Sequence, residues 1–387
     1  MKCTINAKSL LNMYKFISNF VEKDRNSIYK HSIYISVNNN TLSMLVVSDS
    51  SGLYRNDCFT EALVSETCED TENGRLLISW KDIENIKQFD KTQNVTLIYN
   101  NSNVEGKLEF ISSNYKFSIP ATIAEGEKEY KFVSKCFTTY IASMNVTKEE
   151  LEGLNFTALA MSDDQLRMEF NGLFYDDESF VATDGHRMHV YKTNQKVDGK
   201  FESIIPKMIV KCFNKGFVGE LQEWADVLDH WFVYAGDNFI VTTKGIAGRF
   251  PNFKRVMSEE DEKSRHNTII DAKSVLSELK SKTKGIKTVH FMFSQSKEDV
   301  LHFCTSNEEY KASDVGIETH SEIDFDIKCN NANECLIGIN ISYLKDAITG
   351  MGNNVKYTWL DCNSPLCFYD NTTNCRSIVM PIQCLKR

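Results

Sequence analysis

An α+β protein that uses one domain pattern three times is what this sequence predicts, on three observations. Stretches with helical and strand periodicity alternate as helix, strands, helix, strands, and that order runs through three times, over 1–132, 133–256 and 257–387. Each round closes on an apolar strand followed by proline, at Pro120, Pro251 and Pro381. A chain of 387 residues is also too long for one core and suggests two or three domains of roughly 100–200 residues. Each domain is expected to pack two helices on antiparallel sheets.

The first round opens with an amphipathic helix over Asn6 to Val21, with Asn6 as N-cap. Leu10, Tyr14, Ile17 and Val21 share its packing face; Lys8, Asn12, Lys15 and Asn19 share a polar, slightly basic one. Strands follow at Ser32–Val37 and Thr41–Val47, the latter ending in the turn-rich Ser48-Asp49-Ser50-Ser51. A second helix fits Ser79–Phe89, and strands at Val95–Tyr99, Gly106–Ile111 and Tyr115–Ile119 stop at Pro120.

In the second round Thr147 and Glu150 form a capping box for a helix carrying Leu151, Leu154, Ala158 and Met161. Strands run through Asn171–Tyr175 and Phe180–Tyr191, a short helix follows Pro206, and strands at Phe232–Tyr234, Phe239–Thr243 and Ile246–Phe250 end at Pro251. The third round opens at Asp271, an N-cap for a helix with Ala272, Val275, Leu276 and Leu279 on one side and Lys273, Lys280 and Lys284 off it. Strands at Thr288–Phe293 and Val300–Thr305 lead to Ser306-Asn307-Glu308-Glu309. Ile341–Met351 is its second helix, and Val355–Leu360, Leu366–Tyr369 and Ser377–Met380 are its last strands.

Composition removes several function classes. Hydrophobic residues make up 42% and charged residues 25%, as in ordinary globular proteins. No apolar run approaches the ~18 residues of a membrane helix. The opening Met-Lys-Cys-Thr-Ile-Asn lacks the apolar core of a signal peptide, so a cytoplasmic protein is expected. The twelve cysteines include no Cys-x-x-Cys pair, and the closest spacings, Cys362 with Cys367 and Cys329 with Cys335, lack a second pair at zinc-site distance. Reduced thiols, no metal and no cofactor are the expectation. A net charge of −9 argues against gripping nucleic acid over the whole surface, but leaves room for a local basic face.

One stretch stands apart: Phe180-Val-Ala-Thr-Asp-Gly-His-Arg-Met-His-Val-Tyr191 reads as strand, tight reversal, strand, with His186 and Arg187 displayed past Gly185. Where strands break in the other two rounds the residues are Ser48–Ser51 and Ser306–Glu309, so Gly185, His186 and Arg187 serve something other than folding. Asp184, His186 and His189 also admit an enzymatic reading, as a metal-dependent hydrolase, although no supporting groups accompany them.

Ala182-Thr-Asp-Gly-His-Arg187 resembles the most distinctive string of the bacterial β sliding clamp, the processivity ring of DNA polymerase III. Gly248-Arg-Phe-Pro-Asn-Phe-Lys-Arg-Val256 and Val379-Met-Pro381 resemble its second and third strings, in the same order and at the expected separations. The resemblance implies a non-enzymatic, head-to-tail homodimeric ring of three-domain subunits, with helices lining a hole for duplex DNA. Its partners would be that DNA, held without sequence preference, the replicative DNA polymerase, the clamp loader and other proteins carrying clamp-binding motifs. A DNA-facing lining would use Lys8, Lys15, Arg25, Arg167, Lys207, Lys211, Lys273, Lys280 and Lys345, each of which also suits a solvated helix face. Glu149, Glu150 and Glu152 depart from a basic lining.

The partner pocket implied by the resemblance takes short linear peptides. Carried over by motif, it comprises Thr183, Gly185, His186, Arg187, Met188, Pro251, Arg255, Val256, Ile378, Val379, Met380 and Pro381, with Phe170 beside them. Met188, Val256, Ile378 and Met380 would receive aromatic or leucine anchors, while Arg187 and Arg255 would fix carbonyls or acidic groups. Ile378–Met380 equally suits a plain core strand. The chain continues past Pro381 as Ile-Gln-Cys-Leu-Lys-Arg387, longer than the family's usual ending, which implies an altered peptide preference. A clamp relative repurposed as a replication or transcription scaffold, without polymerase stimulation, is the remaining alternative.

Overall fold

The computed structural model describes residues 1–21, 32–48, 60–100, 106–124, 137–164, 166–176, 178–201, 203–226, 229–257, 266–282, 293–297, 300–305, 323–328, 339–360 and 364–381. The expectations for Asp49–Ser51, Lys284, Thr288–Met292, Ser306–Glu309, Arg25 and Ile382–Arg387 lie outside the described residues. Helices and antiparallel sheets make up the fold, in two compact units. The first comprises 1–147 with 196–246, and the second 148–195 with 247–387.

In the first unit the opening helix spans Ala7–Ile17, and the Asn6 side chain caps it by accepting from the Lys8 N–H at 2.9 Å. Ala7, Leu10, Leu11, Met13, Tyr14, Phe16 and Ile17 are buried, leaving Lys8, Asn12 and Lys15 outside. Tyr14 stacks on Trp80 with ring centroids 4.5 Å apart, tying the helix to the 3₁₀ turn Asp82–Gln88 that stands where a second α-helix was expected. Helix Lys207–Asn214 follows Pro206, as expected from proline's fixed φ. Strand Phe239–Lys244 pairs antiparallel with Thr60–Thr67, Val241 opposite Ala62, so one sheet runs continuously from the first round into the second.

Two strand expectations change here. Lys116–Ile123 continues through Pro120, pairing with Lys107–Ile111 before it and with Gly74–Ser79 after it. Proline stands where the strand passes from one neighbour to the other, so its missing N–H breaks no regular ladder. Strands Thr139–Val146 and Gly219–Ala225, absent from the sequence reading, pair with each other along their lengths.

The second unit is built on seven antiparallel strands, in the order Gly172–Asp176, Ser179–Thr183, Arg187–Lys192, Cys375–Val379, Leu366–Asp370, Val355–Trp359 and His266–Ile270. The central pairing joins the second round to the third, with Met188 opposite Ile378 and Val190 opposite Arg376. Helix Lys148–Ala158 lies on this sheet. A Cβ at Gly153 would fall 2.3 Å from the Tyr191 ring, so glycine is what lets helix and strand approach. Glu150, expected in a capping box and as a departure from a basic lining, is buried and accepts from the Thr193 hydroxyl at 2.7 Å; Glu149 and Glu152 are exposed.

Helices Ala272–Lys282 and Ile341–Ile348 also belong to the second unit, as does a three-stranded antiparallel sheet of Phe293–Lys297, Val300–Thr305 and Ile323–Lys328. Asp271 caps the former through the N–H groups of Lys273 and Ser274, and Asn340 caps the latter through those of Ser342 and Tyr343. The expected strand Ile246–Phe250 does not form. Gly248 sits at φ +137° and Phe250 stacks flat on Phe174 at 4.8 Å, so aromatic packing directs this segment instead of a ladder. Among the described residues no helix is long and apolar enough to cross a membrane.

Candidate functional site

The turn between Ser179–Thr183 and Arg187–Lys192 is organised by its own side chains. Asp184 Oδ1 accepts from the N–H groups of His186 and Arg187 at 2.9 and 3.0 Å. Thr183 Oγ1 donates to the Arg187 carbonyl at 2.6 Å and accepts from the Gly185 N–H at 3.0 Å. Gly185 takes φ +90°, which an L side chain rarely adopts, and Gly185 and His186 are left exposed.

Arg187 is not displayed as its sequence position suggested. Its side chain is only 11% exposed, with Nε on Asp184 Oδ2 at 3.1 Å and Nη1 paired to Asp346 Oδ2. The guanidinium lies 4.7 Å above the Tyr343 ring, and the His186 ring faces the same tyrosine at 6.3 Å with 16° between the planes. Asp346 and Tyr343 project three positions apart from helix Ile341–Ile348, so Arg187 joins turn and helix. Neither residue carried a sequence signal. An Asp and a Tyr on a helix are common, and Arg187 lies 159 positions from Asp346.

The turn is also latched to the third motif string, because the Met380 N–H donates to the His186 carbonyl at 2.9 Å. Met380 is 42% exposed there and Pro381 is half-buried, while Met188, Ile378 and Val379 are buried in the paired strands. Of the four expected anchor receivers, Val256 and Met380 present open apolar surface, while Met188 and Ile378 are buried. The second string arrives through aromatic packing: Phe250 and Phe253 contact Phe174, and Phe170 meets Phe250 edge-on at 6.2 Å. Pro251, Arg255 and Val256 are thereby carried on an exposed segment.

Arg167, grouped by sequence with a DNA-facing lining, lies beside this turn. It pairs with Asp164 at 3.1 Å, reaches the Asp184 carbonyl at 3.4 Å and covers the Phe170 ring at 5.1 Å. Next to it Leu166 is 92% exposed. The other described lysines of that group lie on helices: Lys8 and Lys15 exposed on the first, Lys207 and Lys211 on Lys207–Asn214, and Lys273 and Lys280 exposed on Ala272–Lys282. Lys211 donates to the Asn19 carbonyl at 3.3 Å. Partial burial depresses the Lys345 pKa; Asp346 opposes that shift, and the charge of Lys280 adds to it.

The hydrolase reading finds no support in this geometry. Asp184 is engaged in the turn, and His189 points to the opposite face of its strand, fully buried. There its ring stacks on Phe156 at 4.5 Å and its Nδ1 meets the Phe156 carbonyl at 2.9 Å. Burial pushes its pKa down to about 4. Among the described residues no group of three or more His, Cys, Asp or Glu could hold a metal ion. Cys3, Cys68, Cys212, Cys367 and Cys375 are buried free thiols.

No family model matches the chain. It is similar to the β sliding clamp of Vibrio cholerae, 24% identical over 253 residues that cover 62% of this chain and 65% of that one. With the β sliding clamp of Borreliella burgdorferi it shares 26% identity over 206 residues, 51% of this chain and 50% of the relative. The matched stretches thus span about half to two thirds of these relatives. Solved structures extend the likeness to the whole length. The Caulobacter crescentus β sliding clamp superposes with a TM-score of 0.77 at 18% identity, covering 99% of both chains. A Bartonella birtlesii DnaN sliding clamp bound to griselimycin does so with 0.78 at 15%, covering 99% of this chain and 100% of that one. The chain has the sliding-clamp fold from end to end.

Proposed function

We propose that this chain is a processivity clamp, a non-enzymatic ring of two head-to-tail subunits that encircles duplex DNA and tethers the replicative polymerase through the surface at Gly185, Val256 and Met380. In this reading each subunit comprises three domains, 1–132, 133–256 and 257–387, and works in the cytoplasm with a clamp loader and other peptide-bearing partners. The observation that carries it is the strand seam of the second unit. Pairing of Arg187–Lys192 with Cys375–Val379 brings together two motif strings almost 200 positions apart, roughly an entire domain length, and the Met380-to-His186 hydrogen bond fastens them. A ring that must hold DNA yet slide needs cations for phosphates and few contacts to base edges. Exposed lysines on helices, at Lys8, Lys15, Lys273 and Lys280, are of that kind.

Arg187 acts by fixing turn to helix, and Val256, Met380 and the face of His186 are what an apolar anchor would meet. The test is primer extension on a circular single-stranded template with the cognate polymerase and loader, with and without this protein. Long products that depend on the protein and are lost in Met380→Ala support the reading. Protein-independent product length overturns it, and a closed ring without stimulation would leave only the scaffold alternative.

A further inference from the structure

The first unit carries a sheet face used by neither the motif strings nor the expected DNA-facing residues. Strands Thr139–Val146, Gly219–Ala225, His230–Ala235 and Phe239–Lys244 pair side by side in that order. One of their faces is core, where Leu221, Phe232, Tyr234, Phe239 and Val241 are buried. On the other face Tyr140 stands opposite Trp224, and Gln222 and Glu220 follow Trp224 at successive same-face positions. Tyr140 is 41% exposed, and Trp224, Gln222 and Glu220 are half-buried.

The side chains of this face hold one another in place. Phe137 stacks on Trp224 at 6.3 Å, and Tyr140 meets the same indole edge-on at 5.4 Å. Trp224 Nε1 donates to Gln222 Oε1 at 2.9 Å, and Gln222 Nε2 donates to Glu220 Oε2 at 2.9 Å. At the other end the Tyr140 hydroxyl donates to the exposed Asp198 at 3.2 Å. Both carboxylates are thus fixed beside the aromatic pair by neutral donors. The four strands contain a single lysine or arginine, Lys244, and Asp229 already meets it at 2.6 Å.

We propose that this face docks a basic, extended segment of a partner protein, with one arginine or lysine against the Tyr140 ring and Asp198 and a second at Glu220. The proposal goes beyond the clamp reading and does not rest on it. An exposed aromatic ring with a carboxylate at its edge attracts a cation, and the same carboxylates repel the phosphates of a nucleic acid. A sheet face offers a small molecule few of the walls that a concave pocket provides, whereas an extended chain can lie along it. Glu220 precedes Trp224 by four positions, about 13 Å along the strand, so an extended segment would carry its two cations four positions apart.

The test is calorimetry of the full-length protein with three capped peptides: Arg-Val-Thr-Val-Arg, Glu-Val-Thr-Val-Glu, and Arg-Arg-Val-Thr-Val, which keeps the composition of the first but sets its arginines side by side. The first is expected to bind about tenfold tighter than the second and about threefold tighter than the third. Tyr140→Ala should weaken it about fivefold. Glu220→Lys should make Arg-Val-Thr-Val-Glu the better ligand, a reversal that a general loss of structure does not produce. Absence of binding by the first peptide at about 1 mM, equal affinity for all three, or unchanged affinity in both variants overturns the proposal. A single-stranded oligonucleotide that binds here and is lost in Tyr140→Ala overturns the cationic occupant.

Discussion

Two turns in the second unit are built on the same device and put it to opposite uses. Asp184 and Asp370 each follow or end a strand, and each carboxylate accepts backbone N–H groups from the residues just after it. Asp370 is 2% exposed and closes on itself: Thr372 donates through both its N–H and its hydroxyl, Thr373 through its hydroxyl, and Gly352 through its N–H. Asp184 instead passes one oxygen to Arg187, whose guanidinium continues to Asp346 and Tyr343, while Gly185 and His186 stay in solvent. The Asp370 turn directs its polar capacity to stability. The Asp184 turn directs part of it to holding side chains in place at a surface.

The largest expected difference between them follows from burial. Asp370→Ala leaves the N–H groups of Gly352 and Thr372 without their acceptor and should cost about 3 kcal/mol in urea unfolding at pH 7. Asp184→Ala, near water and with Arg187 still paired to Asp346, should cost about 1 kcal/mol. Peptide affinity should move the other way, falling in Asp184→Ala and unchanged in Asp370→Ala. Burial pushes the Asp370 carboxyl up, but the bonds from Thr372, Gly352 and Thr373 outweigh it and leave it below the ordinary value. Its stabilisation is therefore present above the ordinary carboxylate range and is lost as pH falls through the lowered folded-state value. Equal losses of stability in the two variants at pH 7 would erase the distinction.

A smaller effect comes from beneath the Asp184 turn. His189 leaves that turn on the buried side of the strand, and its Nε2 has no hydrogen-bond partner among the described residues. Arg187 and Asp184 are the charges that act on it, the arginine lowering its pKa and the aspartate raising it, while burial dominates and sets it at about 4. The unfolded chain binds a proton near pH 6.5 that the folded chain refuses, so stability should fall as pH drops from about 6.5 to 4, by at most ~1.4 kcal/mol per unit. His189→Leu should flatten that part of the profile. An unchanged slope would mean that the proton is taken up elsewhere.

Much of this contrast could not be read from the chain. Caps at Asn6 and Asp271, the helical stripe of Leu10, Tyr14 and Ile17, and the positive φ at Gly185 are local consequences of residue type, and they were legible. Gly219–Ala225 was not, because Glu223 is buried where an apolar residue would mark a strand, accepting from the Ser203 hydroxyl at 2.6 Å and meeting His230 at 2.9 Å. Ile246–Phe250 failed for the opposite reason: it carries strand-forming residues, but Phe250 finds a better partner in Phe174. At the site, the motif residues were named from sequence, yet the role of Arg187 was not. An exposed and a buried arginine look alike until Asp346 and Tyr343 are in place.

Backbone conformation provides the smallest and most local comparison. Both turns need a residue at positive φ, Gly185 at +90° in one and Asn374 at +56° in the other. Asparagine tolerates the left-handed region and needs no glycine, so Asn374→Gly should change stability by less than about 0.5 kcal/mol. Gly185→Ala places a Cβ 2.9 Å from Arg167 Nη1, the end of a flexible side chain that can move, so the steric part is cheap. What remains is the backbone cost of alanine at positive φ, about 1 kcal/mol. Because Arg167 must shift from the Asp184 carbonyl and the Phe170 ring, peptide affinity should fall together with stability in Gly185→Ala and in neither respect in Asn374→Gly. Thermal unfolding and peptide titration of the two variants side by side would decide this. A loss of stability in Gly185→Ala with full peptide affinity would place Arg167 outside the binding surface.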